Sequence, residues 1–462
     1  MCKFVRPFAV MFLIASTWPR ATAQQSGEPD HHHDSAASTR SPSSDTDQNM
    51  QMPGMAGPAQ NMEPATFIEE ILLHSTSGTS VQPNSVPQPM VMVGAGKWMF
   101  MFHSEAFLNV EQQSGPSGGD KLFSTNWFMP MIQRPLGPGQ LTLRTMLSLE
   151  PGTVTERSYP ELFQQGETAF GRPLVNGQHP HNFFMELAAL YDWKLAQRTL
   201  LSFYAAPVGD PAMGPTAYAH RISASEDPLA PLGHHLQDST HIAYDVVTAG
   251  LTYRWARIEA SGFHGQEPGE FRWGISAGAI DSWSTRLTVQ PGQNWSAQYS
   301  FAHLTSPEAL QTQNDVQRMT GSVTYNRPLA RGNWASTILW GRNHALPSGE
   351  NFNSYLAEST LRFATREYVW GRIENVDRTN ELLLAGQPEP PGFQERFLAR
   401  IQAYTAGYDH DFHFIPGLST ALGAQVTFYG KPAFLTPIYG QHPVGAILFV
   451  RFRPKGSAHV SH

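Results

Sequence analysis

The strongest constraint in this sequence is a period-two alternation of apolar and polar residues, which begins near residue 91 and recurs to residue 453. At 141–150, leucines and one threonine occupy every second position, and Arg144, Ser148 and Glu150 fall on the other face. This spacing is the pattern of a β-strand with one apolar face. It recurs in about sixteen runs, most about 10–13 residues long, against 5–6 for the usual strand. The predicted strands cover 97–110, 121–133, 139–150, 183–194, 198–207, 241–253, 256–265, 281–290, 293–303, 316–326, 333–343, 353–363, 367–377, 397–411, 417–429 and 444–453.

The connections between these runs alternate between short and long. Tight links such as Pro291-Gly292 and Pro416-Gly417 follow every second run, and the intervening links include the long segments 151–182, 208–240 and 378–396. Long strands joined in this rhythm are typical of a membrane barrel with short periplasmic turns and long extracellular loops. The predicted fold class is therefore all-β, a transmembrane antiparallel β-barrel of about 16 strands. Tandem soluble sandwiches are the alternative, but they explain neither the strand length nor the rhythm.

Composition excludes several classes of function. Only 15% of the residues are charged, against about 25% in an ordinary soluble protein, which fits strands that turn half of their residues toward lipid. The net charge of −7 gives no basic surface for nucleic acid. The single cysteine, Cys2, lies in a predicted signal peptide, so we expect no disulfide framework or cysteine nucleophile in the mature chain.

The chain is predicted to have four segments. Residues 1–23 have the basic start, apolar stretch and A-x-A cleavage site of a signal peptide. Residues 24–90 are predicted to be a disordered periplasmic leader that contains Met and His, with one short helix near 66–74. The barrel covers 91–454, and a C-terminal tail covers 455–462.

The barrel region resembles Gram-negative outer-membrane β-barrel proteins of the porin-like class. The run Gly445 to Phe452 is similar to the closing strand that such barrels present to their assembly machinery, although residues 453–462 extend past it here. The resemblance implies a bacterial outer-membrane location, with the leader and the C-terminus in the periplasm. It also implies outer-membrane lipid and the barrel-assembly machinery as partners, and a homotrimer as one state of assembly. The leader run Met50 to Met55 resembles copper-resistance outer-membrane proteins.

The strand faces predicted to point inward carry charges of both signs. A polar lumen is what a water-filled pore requires, and rings of charge bias which solutes pass. The alternative is that these charges only pair across neighbouring strands and stabilise the wall. The predicted pore-lining residues are Arg144, Glu186, Asp192, Asp245, Arg257, Glu259, Arg286, Arg318, Glu358, Arg362, Arg372, Glu374, Arg400 and Arg451.

Histidines concentrate in two loops that lead into strands. Imidazoles beside carboxylates suit Zn(II), Cu(II) or Ni(II), so these loops are a candidate site for copper or another divalent transition metal. The alternative is that the loops fold inward, hydrogen-bond each other and narrow the pore. The candidate ligands are His179, His181, His220, His234, His235, Asp238 and His241.

The leader adds a second candidate metal site. Met50, Met52 and Met55 carry thioethers, which are soft ligands that select Cu(I). A flexible tail of this kind could capture periplasmic copper and pass it to the lumen. The alternative is a low-complexity tail whose methionines have no particular role.

Three functions remain at this point. The first is a channel or porin-like transport protein for small polar solutes or metal ions, and the second is a copper- or metal-binding resistance protein. The third is an outer-membrane lipid hydrolase, for which Ser239, His241 and Asp245 could be imagined as a set. Because Ser239 is not flanked by the glycines of a G-x-S-x-G nucleophile elbow, the protein is not predicted to be an enzyme.

Overall fold

Closure of one sheet on itself defines the fold. The computed structural model describes residues 64–88, 90–310, 312–379, 383, 384, 388 and 398–455. Sixteen antiparallel strands follow one another in chain order, and the last pairs with the first of the ring. They are β2 (Trp98–Gln113), β3 (Asp120–Leu136), β4 (Gly139–Leu147), β7 (Phe184–Ala196), β8 (Thr199–Gly209), β9 (Ala243–Tyr253), β10 (Ala256–His264), β11 (Ser282–Gly292), β12 (Trp295–Leu304), β13 (Asp315–Leu329), β14 (Gly332–Leu346), β15 (Asn351–Phe363), β16 (Glu367–Thr379), β17 (Leu398–Ile415), β18 (Leu418–Gly430) and β19 (Val444–Pro454).

This ring confirms the predicted barrel and its strand count. Each predicted run corresponds to one strand, and the ends agree to within a few residues. The short links join β3 to β4, β7 to β8 and so on around the ring, whereas the long connections lie between the other pairs. Because neighbours are antiparallel, all the short links lie at one end of the barrel, together with the start of β2 and the end of β19.

The remaining elements are short and are not part of the ring of strands. β1 (Val91–Ala95) forms a hairpin with the start of β2, and β5 (Tyr159–Ala169) pairs with β6 (Arg172–Gln178) in the connection between β4 and β7. Among the described residues, no helix has both the length and the apolar character needed to cross a membrane. The helices are α1 (Phe67–Leu73), α2 (Glu150–Thr153), α3 (His234–Gln237) and α4 (Thr436–Tyr439), with 3₁₀ turns at Thr155–Arg157, Tyr218–His220, Ile222–Ala224, Ser239–His241 and Ala433–Leu435.

The two faces of the barrel wall differ in polarity. Leu287 and Ile338 face outward and are 49% and 69% exposed, whereas their chain neighbours Arg286 and Thr337 point inward and are buried. The same alternation runs along most strands of the ring. An apolar outer surface around a polar interior is the arrangement that a strand barrel needs in a lipid bilayer.

Residues 64–88 lie inside this barrel. α1 begins at Thr66, whose hydroxyl accepts a hydrogen bond from the Glu69 N–H while the Glu69 carboxylate accepts one from the Thr66 N–H. The apolar side of α1 packs on Leu200 of β8, and nearly all of residues 74–84 are buried. α1 corresponds to the short helix predicted near 66–74, but residues 75–88, which are predicted from the sequence to belong to the disordered leader, are held in the barrel. The predicted signal peptide and Met50, Met52 and Met55 lie outside the described residues.

The outward face gives a direct test of membrane embedding. Ile338 lies near the middle of β14, so Ile338→Arg places a charge where the wall meets the bilayer centre. We expect this change to lower the free energy of unfolding in lipid vesicles by about 2–4 kcal/mol, while Ile338→Leu leaves it nearly unchanged. Urea titration followed by tryptophan fluorescence measures both. Equal stability of the two variants would show that this face does not contact lipid.

Candidate functional site in the barrel interior

Arg144 on β4 anchors the segment that fills the barrel. Its guanidinium donates hydrogen bonds to the carbonyl oxygens of His74, Thr76 and Gly78, and it pairs with Glu186 of β7 at 2.8 Å. Both charged side chains are fully buried. Because a buried charge is tolerated only when it is paired and hydrogen-bonded, the position of residues 74–78 is tied to this ion pair.

Further wall contacts hold the same segment. His74 Nε2 lies 2.7 Å from the Asp192 carboxylate on β7, and Arg286 on β11 donates to the Thr79 hydroxyl at 2.9 Å. Gly78 adopts a φ of 56°, and a Cβ atom there would lie 2.6 Å from the Asp210 carbonyl oxygen. That approach requires glycine at position 78. These contacts are polar, so water could replace each of them if the segment moved.

The connection between β8 and β9, residues 210–242, also folds into the interior. Arg221 in this loop pairs with Glu358 of β15, and Arg372 of β16 bridges Glu358 at 3.1 Å and Asp227 of the loop at 3.0 Å. Arg451 of β19 contacts Glu226 of the same loop. These ion pairs of alternating charge fix the loop to the wall. This arrangement agrees with the alternative given for the histidine loops, in which they fold inward.

The two inserted segments contact each other and enclose a small space. A cavity of about 20 Å³ lies between Ser80, Thr216 and the wall residue Arg286. This volume holds roughly one water molecule. Here the interior is filled by the chain itself, and a solute would have to displace one of the two segments.

The predicted pore-lining residues divide into three groups. Asp245 and Arg400 do not point inward, so their assignment to the lumen is wrong. Asp245 sits where β9 takes a φ of 52° and bonds the Gly278 N–H, and Arg400 is on the outward phase of β17, paired with Asp377. Arg362 is inward in phase but bonds the Thr365 carbonyl at a short turn. The others are buried on the inner face: Arg144, Glu186, Asp192, Arg257, Glu259, Arg286, Arg318, Glu358, Arg372, Glu374 and Arg451.

Five of the six predicted histidines form a buried chain of rings. The ring centroids of His179 and His235 lie 5.3 Å apart, those of His235 and His234 5.1 Å, those of His234 and His241 5.2 Å, and those of His241 and His181 5.3 Å. The sequence placed these residues in two separate loops, and the fold brings the loops together at the mouth opposite the short turns.

Carboxylates flank this histidine chain. His181 Nδ1 lies 3.0 Å from Glu150, His179 Nε2 lies 3.0 Å from Glu167, and His234 Nδ1 lies 2.6 Å from Asp238. Burial opposes the ionisation of Asp238, but His234 and Arg221 outweigh it and hold the pKa of Asp238 below its usual range. Among the described residues, no three of the His, Cys, Asp and Glu side chains are arranged to hold a metal ion. Metal binding by these histidines remains a prediction.

His220, the sixth histidine, does not belong to this row of five histidine rings. It contacts Met146 of β4 and packs on Trp127 of β3, at a ring-centroid distance of 4.3 Å. The sequence pattern does not predict these contacts of His220, because it treats methionine and tryptophan only as apolar residues of a strand. The one available signal was that Met129 and Met131 repeat on the inward phase of a single run.

The residues weighed as a hydrolase set do not meet. The Ser239 hydroxyl donates to Glu267 and accepts from Arg318. His241 Nδ1 bonds the Asp238 carbonyl oxygen, and Asp245 bonds a loop N–H on the outer side. A nucleophile needs a base within hydrogen-bond reach, and Ser239 is instead held by a carboxylate and a guanidinium.

Comparison with solved structures shows that the barrel of this chain is similar in fold to known outer-membrane barrels. The chain is similar to an anion-selective porin from Comamonas acidovorans, with a TM-score of 0.49 and 10% identity over 77% of this chain and 99% of the porin. It is also similar to OmpF of Salmonella typhi in complex with daunomycin, with a TM-score of 0.46 and 7% identity over 79% and 100% of the two chains. The outer-membrane channel DcaP of Acinetobacter baumannii gives 0.40 and 9% over 77% and 97%.

Sequence comparisons give no match. No family model matches the chain, and no curated protein matches it. At these TM-scores and identities the structural likenesses say nothing about solute or activity, so functional arguments depend on the residues of this chain.

The Arg144 anchor predicts a large loss of stability on substitution. Arg144→Met leaves Glu186 buried without its partner, which we expect to lower the free energy of unfolding by about 3–5 kcal/mol. The matched control is Arg400→Met, because that guanidinium is half exposed in its pair with Asp377 and should contribute less than about 1 kcal/mol. Urea unfolding in vesicles measures both, and similar losses would contradict the anchoring role.

The buried carboxyl group of Asp210 should make the stability of the folded barrel depend on pH. Burial raises its pKa to about 8, with Arg286 opposing the rise. Because the folded pKa lies above the unfolded one, this contribution to stability is complete below about pH 4 and is lost as pH rises through about 8. We expect wild-type stability to fall from pH 6 to 9, and Asp210→Asn to flatten that fall. Asp120→Asn, at an exposed carboxylate, should keep the wild-type profile; parallel curves for all three proteins would refute the assignment.

Proposed function

We propose that this protein is an outer-membrane channel that passes small polar solutes or metal ions through the barrel interior. The observation that carries the proposal is the polar interface between the wall and residues 74–84. Arg144, Asp192 and Arg286 hold that segment by hydrogen bonds and ion pairs rather than by apolar packing. Water and ions could satisfy the same wall groups once the segment moved aside, so the interior would become a charged aqueous path.

The outer surface supports the proposed location. Exposed leucine, isoleucine and aromatic side chains cover the outward phase of the strands, which suits contact with lipid chains. In the usual orientation of such barrels the short turns face the periplasm. The start of β2 and the end of β19 would then lie on the periplasmic side, and the histidine chain near the extracellular mouth.

In the resting state the proposed channel is closed by its own chain. Residues 74–84 and the loop 210–242 contact each other in the interior, and the cavity between Ser80 and Thr216 has a volume of about 20 Å³. Conduction therefore requires one of them to shift. The N-terminal segment is the better candidate, because loop 210–242 is tied to β15, β16 and β19 by buried arginine–carboxylate pairs.

A reversible cross-link tests this mechanism. The Ser77 hydroxyl lies 3.0 Å from the Asp210 carboxylate, so Ser77→Cys with Asp210→Cys should form a disulfide that fixes the segment in the lumen. The only native cysteine, Cys2, is in the predicted signal peptide. In planar bilayers, we expect the oxidised double variant to conduct less than the same protein after reduction.

The single variants serve as controls for this cross-link. Ser77→Cys and Asp210→Cys alone should conduct equally with and without reductant. If wild type, the reduced double variant and Arg144→Met all fail to conduct as intact barrels, the channel proposal is wrong. If oxidation leaves conductance unchanged although the disulfide has formed, the segment is not the gate.

A further inference from the structure

Methionines line one stretch of the inner wall. In the β2–β3 register, Met101 lies opposite Met131 and His103 lies opposite Met129. The β3–β4 register, in which Phe128 faces Leu147, places Met146 beside Met129. The four methionines are at most 3% exposed, and they belong to one buried cluster that also contains Met90 and Met185.

A histidine from the inserted loop completes this group. His220 Nε2 lies 3.3 Å from the Met146 sulfur, and its ring centroid lies 5.9 Å from that of His103. Nδ1 of His220 and Nδ1 of His103 are both buried without a hydrogen-bond partner. A buried polar atom of this kind is unfavourable unless a ligand or water satisfies it.

The chemistry of the group is that of a soft metal site. Nδ1 of His220 is buried and has no hydrogen-bond partner, so this imidazole has a nitrogen free to bind a ligand. Thioether sulfur and neutral imidazole favour Cu(I) and similar ions over hard cations. Glu186 lies opposite Met146 in the β4–β7 register, but it is engaged by Arg144. A set of neutral ligands suits a monovalent ion better than a divalent one.

We propose that Met129, Met146, His103 and His220 bind one monovalent soft metal cation of the Cu(I) or Ag(I) type inside the barrel. This site differs from the chain of histidines at the mouth, which uses imidazole and carboxylate groups, and from the leader methionines. The inference rests on the proposed function in that it names a cation class for the lumen. Its test measures binding and not passage.

Silver(I) is the first probe, because it shares the ligand preferences of Cu(I) and does not change its oxidation state during the titration. The full mature chain is used in detergent, with the leader methionines removed as competing ligands by Met50→Leu, Met52→Leu, Met55→Leu and Met62→Leu. Calorimetry in this background should show one tight equivalent of Ag(I). Cu(I) presented from a chromophoric chelator should compete for the same equivalent.

Two nearly isosteric changes remove the sulfurs without opening a cavity. Met129→Leu with Met146→Leu keeps side-chain volume, and we expect it to weaken Ag(I) binding by at least about tenfold. Met319→Leu is the matched control, because Met319 lies on the outward phase of β13 and should leave the affinity unchanged. A circular dichroism spectrum and heat-modifiable electrophoretic mobility establish that each barrel is folded.

The outcomes separate this proposal from the channel. Equal Ag(I) affinity in the double variant and in Met319→Leu, with both barrels folded, overturns the site. X-ray absorption of the loaded protein that shows no sulfur neighbour overturns it as well. If the protein binds Ag(I) tightly but never conducts, the metal site stands and the channel proposal is wrong. If it conducts but does not bind Ag(I), the channel proposal stands and the metal site is wrong.

Discussion

The pairing of β19 with β2 is the constraint on which the rest of the structure depends. Eight residue pairs, from Gly445 with Gln113 to Phe452 with Ala106, join the two ends of the sheet. In a bilayer the backbone N–H and C=O groups of an open edge would find no water, and each unpaired group would cost several kcal/mol. Closure removes both edges. It also creates an enclosed interior that the chain must fill with groups able to satisfy a polar wall.

The charged side chains of the barrel wall and the polar groups of the inserted segments satisfy each other. Arg144 and Arg286 would be unfavourable as bare charges in a narrow interior, and the backbone carbonyls of residues 74–78 would be equally unfavourable without donors. Arg144 donates to the carbonyl oxygens of His74 and Thr76, and Arg286 donates to the Thr79 hydroxyl and to the Gly214 carbonyl oxygen of the loop. The same logic holds for the loop 210–242, where Glu358 joins Arg221 of the loop to Arg372 of the wall. The predicted alternatives of permeation and wall pairing are therefore not exclusive, because the charges that would line a path also hold it shut.

Most of the barrel could be predicted from the sequence, because alternation reports directly which way a side chain faces. The two errors of phase lie near strand starts where apolar residues face inward. Asp245 is next to the buried Val246, and Arg400 lies between the buried Ala399 and Ile401. The rule that polar residues face the lumen fails where apolar side chains pack against inserted loops.

The filled interior was not predictable in the same way. Residues 75–80 are serine, threonine and glycine, a composition that describes a solvated linker as well as it describes a segment satisfied by surrounding arginines. The convergence of His181 with His241 depends on two loops meeting in space. The methionine wall was hidden for a different reason: a thioether counts as apolar, although it can also act as a soft ligand.

The place of the inserted segment in the chain has a consequence for how the molecule is built. Residues 64–88 precede every strand of the ring, and β19, which seals it, comes last. The buried guanidinium of Arg144 therefore has its carbonyl partners available before closure, and the sheet can curl around a template instead of collapsing on an unsatisfied interior.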